Sequence, residues 1–224
     1  MHDDMKKVLG VDENKDQKST FKPLRAFVAG LSLSIVAGAC CALVMFVDSS
    51  TKDVIAQNES HSIKARINDL LPPEAKVKGH VITCYNVRKD PHIGHNQKLF
   101  VSSIDNEILG YVLTYQTSQG YSNPLVMIAG FNSDKSVYKA DIHYSLETPG
   151  LGDKVDRDHG AFLDQFNGEN LHSHAAWEVK KYGGDFDYIT GATITSRATV
   201  IATYNALEAL NSIDIHTLSK CKVH

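Results

Sequence analysis

Gly183-Gly184-Asp185-Phe186-Asp187-Tyr188-Ile189-Thr190-Gly191-Ala192-Thr193-Ile194-Thr195-Ser196-Arg197-Ala198-Thr199-Val200 joins a glycine-rich turn to the start of an amphipathic run. Within it, Asp187 to Thr193 has the form Asp-x-x-(Ser/Thr)-Gly-Ala-Thr. From Ser196 to Leu210 an alanine-rich segment places Val200, Ile201, Tyr204, Leu207 and Leu210 at three- and four-residue spacing, the period of a helix with one apolar face. Ser and Thr ahead of such a run mark a helix N-terminus. Thr193 is therefore expected in a small-residue turn at or just before a helix start. Backbone N–H groups and the positive end of the helix dipole favour a phosphate there. Gly191 and Ala192 leave the approach to the Thr193 hydroxyl free of bulk. A turn of this composition also caps a helix that binds nothing, and the motif alone leaves both readings open.

Upstream of this turn, strand-like runs occupy Val81–Tyr85, Leu99–Ile104, Leu109–Gln116, Leu125–Phe131 and Val137–Tyr144. Several alternate apolar and polar residues, as half-buried antiparallel strands do. Turn-rich pieces such as Lys89-Asp90-Pro91 and Asp105-Asn106 separate them. A short helix is expected over Ala161–Phe166 and a last strand over Trp177–Lys180. Runs of strands with helices at the ends predict an α+β fold with an antiparallel sheet and flanking helices.

Towards the N-terminus, Ala26 to Val47 runs 22 residues without a charged side chain. At about 1.5 Å rise per residue, roughly 20 such residues cross a bilayer. Lys6, Lys7, Lys15, Lys18, Lys22 and Arg25 precede the run, against Lys52, Lys64 and Arg66 after it. The positive-inside rule then predicts a cytoplasmic N-terminus and an exported domain, periplasmic for an inner-membrane protein. A cleaved signal peptide has a shorter apolar core. Ala37-Gly38-Ala39-Cys40 lies inside the run and lacks the aliphatic residue of a lipoprotein site, so an uncleaved single-span anchor is expected. The domain plan is a tail over 1–25, a transmembrane helix over 26–47, a linker and helix over 48–75, and an exported domain over 76–224. In the third part, a linker to about Asn58 overlaps a helix over Lys52–Leu71 that stops before Pro72-Pro73. Hydrophobic residues make up 42% of the 224, enough for a packed core, and a net charge of −3 offers nothing to a nucleic acid. Cys40 and Cys41 read as small apolar residues of the span. Cys84 and Cys221 fall in the exported part, where an oxidising compartment permits one pair.

A second motif, Glu147-Thr148-Pro149-Gly150-Leu151-Gly152-Asp153-Lys154, follows the strand ending near Tyr144. Pro-Gly and a second Gly mark tight turns with exposed backbone. Alone this is a connection; beside the Thr193 turn it suits a loop that closes over a planar ligand. These two motifs, with Gly120-Tyr121-Ser122, Trp177, Lys180-Lys181 and Gly183-Gly184-Asp185-Phe186-Asp187, resemble the FMN-binding G subunit of the Rnf electron-transport complex. The resemblance runs from the anchor to about residue 210, and Cys84 and Cys221 fall where related chains can carry cysteines. The C subunit of the sodium-pumping NADH:quinone reductase shares both motifs but is usually longer.

The resemblance implies FMN joined through its phosphate to Thr193 by a flavin transferase that uses FAD, with Asp187 as the acidic residue of the transferase motif. Thr195, Ser196 and Thr199 offer neighbouring hydroxyls. The implied cofactor-binding set is Thr193, Glu147, Thr148, Gly150, Leu151, Gly152, Asp187, Thr190, Gly191, Ala192 and Thr195, with no separate catalytic residue. Relatives often carry a histidine two residues before the motif's Glu, where this chain has Ser145. His143 lies two positions earlier, on the same strand face if the register holds, and whether it reaches the flavin stays open.

The implied role is electron transfer inside a membrane complex that couples ferredoxin and NAD chemistry to ion movement, or that keeps a redox-sensing transcription factor reduced. The implied partners are a second covalent-FMN subunit, Fe–S subunits and membrane lipid. A membrane-anchored sensory flavin domain is the alternative from another class. No Fe–S cysteine pattern, haem-attachment motif or dinucleotide loop is present, which leaves flavin as the carrier. His92-x-x-His95 and His172-x-His174 lack Cys or acidic partners at ligand spacing, so they read as loop histidines and no metal is expected. Asp153, Asp156 and Asp158 with Lys154 and Arg157 read as a solvated face, and Trp177 as core.

Overall fold

The computed structural model describes residues 23–122 and 124–221. Two compact units divide the chain near Asn58. In the first, helix α1 (Pro23–Leu70, continuing into the second unit) contains Leu33–Thr51, long and apolar enough to cross a membrane, with mean hydropathy 1.9 and none of it buried. Side chains such as Phe27, Leu33, Leu43 and Phe46 stand exposed, as those of a lipid-facing helix must. The expected tail lies, as far as residue 22, outside the described residues. Residues 48–58, read as a linker from their polar composition, are helical, because nothing in them breaks the ladder before Pro72-Pro73.

The second unit is built on one antiparallel sheet. Strands β1 (Val81–Asp90), β2 (Gly94–Ile104), β3 (Glu107–Thr117), β4 (Leu125–Asn132) and β5 (Val137–Tyr144) form a meander. A short β6 (Ser219–Lys220) returns to the outer side of β1, giving the order β5-β4-β3-β2-β1-β6. Together with helix α2 (Thr193–Ser212) this is the α+β fold read from the sequence.

Period-2 patterning gives the sheet two covered faces. Leu99, Val101, Leu113, Tyr115, Met127 and Phe131 point to the larger core, where Val200, Ala206, Leu207 and Leu210 of α2 meet them. Phe100, Val112 and Ile128, one residue out of phase, point to the opposite face and pack on Ile67, Leu70 and Leu71 at the end of α1. The chain of α1 lies directly on β4 there. A Cβ on Gly130 would stand 1.7 Å from the Leu70 carbonyl oxygen, so only glycine admits this contact.

Cys84 and Cys221 form a disulfide with Cα atoms 5.3 Å apart, within the usual span. Cys221 N also donates to the Cys84 carbonyl, which pins the returning tail beside β1. Two local expectations differ from the structure. β1 and β2 extend to a hairpin at Asp90 and Gly94, through polar residues that carry no strand signal. Trp177–Lys180 contributes one parallel bridge, Val179 to Phe186, in place of a strand. The short helix expected over Ala161–Phe166 is present as a 3-10 helix over Phe162–Phe166.

Candidate functional site

Three loops and one helix start enclose a cavity of about 710 Å3 on the α2 side of the unit. The loop after β3 supplies Tyr121, and the loop after β5 supplies Glu147, Thr148, Leu151 and Gly152. A 3-10 turn supplies Lys181 and Tyr182, and the start of α2 supplies Gly191 to Thr195. The volume falls in the range of about 300–1,000 Å3 common to small-molecule sites.

Thr193 is the first residue of α2, at a helix start as its turn was expected to be. Ala192 occupies the N-cap position and no side chain caps the helix. The first N–H groups of a helix have no partner within it, and here no Ser, Thr, Asp or Asn accepts from them. Alanine at this position is poorer than those residues by about 1 kcal/mol. The uncapped turn thus keeps its donors and its positive dipole end for whatever enters the cavity. Lys181 reinforces the charge, donating from Nζ to Thr193 Oγ1 at 3.3 Å.

The hydroxyls near this start are not equivalent. Thr195 is buried and donates to Glu147 Oε2 at 2.9 Å. Ser196 is buried and donates to the Ala192 carbonyl, while Thr199 is buried and donates to the Thr195 carbonyl. Thr193 is half-buried, opens on the cavity and receives its hydrogen bond from a lysine. Sequence left these four undecided.

Glu147 is the residue that ties the loops together. Its Oε1 accepts from Ser122 N at 3.0 Å, holding the loop after β3, and its Oε2 holds Thr195 of α2. Gly152 packs against the same carboxyl, with no room for a Cβ. The Thr148 carbonyl accepts from Leu151 N and Gly152 N, both at 3.1 Å, and so folds the Pro-Gly-Leu-Gly turn back on itself. Around the mouth Tyr121, Leu151, Tyr182 and Ile194 expose between 47% and 71% of their area, a rim of apolar faces around a polar floor. Arg197 stands 5.6 Å over the Tyr182 ring and pairs with Glu178 at 2.7 Å. Burial opposes ionisation of Glu178, but its hydrogen bonds from Arg197 and Val179 N prevail and hold its pKa below the usual carboxylate value.

Of the residues singled out from sequence, Glu147, Thr148, Leu151, Gly152, Gly191, Ala192, Thr193 and Thr195 line this one cavity. Gly150 sits at the turn with φ 78° and Thr190 is exposed, and neither lines it. Asp187 is exposed and pairs with Lys180 at 2.6 Å, outside the cavity lining. His143 is also elsewhere: it lines a separate cavity beneath α1, because its strand register turns it to the other sheet face. Lys181, Tyr182 and Ile194 line the site without having been assigned to it. Lys180-Lys181 carried part of the resemblance, but only the fold distinguishes the lysine that points inward.

Trp177 packs in an aromatic cluster with Phe166 and Phe186, as core. His174 lies beside it, donating from Nδ1 to Asp185 Oδ2 at 3.0 Å, with Glu169 3.0 Å from Nε2 outside hydrogen-bond geometry. No cluster of metal-ligating side chains occurs among the described residues.

Two family models match the chain: an FMN-binding domain over residues 120–208 and an RnfG N-terminal region over residues 26–70. The first contains all three loops and the helix start of the cavity. Among curated proteins, the G subunit of the ion-translocating oxidoreductase complex of Erwinia tasmaniensis is 33% identical over 177 residues, 77% of this chain and 84% of that relative. The corresponding G subunit of Escherichia coli K12 is 32% identical over 180 residues, 79% and 87%. That of Vibrio vulnificus is 30% identical over 187 residues, 82% and 88%. With both regions matched in order and an FMN-binding domain built around the cavity, this chain belongs to the family of G subunits of ion-translocating oxidoreductase complexes.

Proposed function

We propose that this chain is an electron-transfer subunit of a membrane-bound ion-translocating oxidoreductase and carries FMN as a phosphoester on Thr193. The observation that carries the reading is the uncapped start of α2, with Lys181 on the Thr193 hydroxyl and a cavity of about 710 Å3 in front of it. In maturation by a flavin transferase, the Thr193 oxygen bonds to the FMN phosphorus of FAD and loses its proton. The pyrophosphate bond breaks and AMP leaves. The diester keeps one negative charge, which the helix N-terminus and Lys181 stabilise. A covalent link also retains the cofactor outside the cytoplasm, where none is resupplied.

When bound, FMN supplies the redox chemistry, and the chain binds and orients it. Glu147 locks the loop after β3 to α2, the Pro-Gly-Leu-Gly turn offers backbone at the mouth, and Tyr121, Leu151, Tyr182 and Ile194 offer apolar faces to a planar ring. Asp187, exposed beside the site, is accessible to the transferase. In the same reading, supported by the apolar run and the excess of Lys and Arg ahead of it, residues 26–47 cross the inner membrane once with the N-terminus inside, and 76–224 form the periplasmic domain. A second covalent-FMN subunit and Fe–S subunits are the electron-transfer partners, within a complex that couples ferredoxin and NAD chemistry to ion movement.

The test is intact mass with in-gel flavin fluorescence on the full chain made together with the transferase, beside Thr193→Ala. A flavin-sized adduct absent from the variant is the expected result. An adduct retained in Thr193→Ala moves the attachment, and no adduct with an active transferase refutes the covalent carrier.

A further inference from the structure

On the sheet face opposite α2, a second cavity of about 280 Å3 lies under the end of α1, and the flavin reading makes no use of it. Its walls are apolar where Phe100, Val126 and Ile128 of the sheet meet Ile63 of the helix. Its lining holds two cations and no carboxylate, beside amides and a hydroxyl that both donate and accept. Arg66, His95, Lys98 and His143 all line it. The nearby acid, Asp141, is already engaged by Arg66 Nη2 at 3.0 Å. Lys98 lies exposed, and its ammonium has no partner among the described residues.

The protonation pattern of His143 follows from its neighbour. Arg66 Nη1 lies 3.4 Å from His143 Nδ1. A guanidinium only donates, so Nδ1 accepts and the ring hydrogen sits on Nε2. Burial first, and the Arg66 charge second, hold this histidine below its usual pKa and keep it neutral near pH 7. Arg66 has five N–H donors, of which Asp141 and His143 engage part. The cavity therefore offers a guanidinium, an ammonium and a neutral N–H above an apolar floor, with no free acceptor charge. An acceptor-rich anion with an apolar body complements it, and the planar fork of Arg beside the point charge of Lys suits phosphate oxygens.

We propose that this cavity binds the phosphate group of a small amphiphile, held by Arg66 and Lys98 with its apolar part against Phe100, Val126 and Ile128. Two sources present that chemistry: the headgroup of an anionic membrane phospholipid and a soluble phosphorylated aromatic or aliphatic compound. The site shares no lining residue with the Thr193 cavity and does not depend on the flavin reading.

The experiment is calorimetric titration of the full chain in uncharged detergent with phosphatidylglycerol in mixed micelles and, separately, with phenyl phosphate. Saturable binding is expected. Lys98→Ala and Lys98→Gln should weaken it about tenfold or more, the size expected for one lost charge-assisted hydrogen bond. Lys181→Ala, in the other cavity, should leave it unchanged. Binding of the lipid without phenyl phosphate identifies the membrane as the source, and competition between the two identifies the soluble class. No saturable binding of either probe overturns the proposal. So does equal affinity in both folded Lys98 variants, or loss on Lys181→Ala instead.

Discussion

Glu147 and Thr195 offer the sharpest test of how the proposed flavin cavity is held, because both are almost fully buried, at 7% and 1% exposure. Thr195→Val keeps the side-chain shape and removes one hydroxyl that donates to the Glu147 carboxylate at 2.9 Å. A hydrogen bond to such a group contributes about 1.5–3 kcal/mol. Glu147→Ala removes that bond and the one from Ser122 N, and leaves the buried Thr195 hydroxyl without its acceptor. The expected loss is about 3–5 kcal/mol, a large part of the roughly 5–15 kcal/mol that holds a domain together. In the double variant the Thr195 term is lost only once, so a coupling of about 1–2 kcal/mol should appear in the cycle. Thermal unfolding of the full chain in detergent reads it. For a domain of this size each kcal/mol moves the midpoint by about 2–4 °C. Additivity within about 0.5 kcal/mol would refute the claim that this carboxyl joins the loops to α2. Flavin loading gives an independent reading: Thr195→Val should keep its adduct, since the hydroxyl facing the cavity belongs to Thr193.

Other perturbations reach the remaining parts of the argument. Lys181→Ala should lower the fraction of chain that acquires flavin by several-fold while Lys181→Arg restores it, scored by in-gel fluorescence against total protein. Gly130→Ala should destabilise the domain by more than about 3 kcal/mol, since a methyl group cannot share the space of the Leu70 carbonyl; a melting point within about 2 °C of the parent would contradict that packing. Replacing Cys84 and Cys221 with Ala opens a loop spanning 137 residues and should cost about 2–5 kcal/mol, read as a lower denaturant midpoint that reducing agent lowers no further. His143 has a folded pKa below its unfolded value of about 6.5, so the unfolded chain binds more protons between the two. Stability should therefore fall as pH drops below about 6.5, and His143→Gln should flatten that part of the profile.

The fold was legible where the sequence repeats a short rule. Five alternating runs gave five strands, and one 3.6-period run gave α2. What escaped was set by partners distant in sequence. β6 is two residues long and exists because Cys221 is tied to Cys84 and Asn86 donates to the Lys220 carbonyl. Residues 48–58 look like a linker by composition, yet a helix already under way continues through polar residues unless a proline or glycine stops it.

The candidate site was legible for a different reason, and incompletely. Its residues cluster in two short motifs whose small side chains and turns are visible without a fold. Which hydroxyl is free is not a local property: Thr195 and Thr199 differ from Thr193 only through what their oxygens meet, Glu147 in one case and a helix carbonyl in the other. The same holds for His143. Two residues of separation from Ser145 suggested a shared face, but the pairing of β5 shifts between Ile142 and Tyr144, opposite Met127 and Val126 of its neighbour β4. That shift falls at His143 and interrupts the alternation on which the inference depended. The histidine that sequence left as an open flavin contact thus stands with Arg66 on the other side of the sheet, and it leaves Lys181 as the residue whose cation meets Thr193.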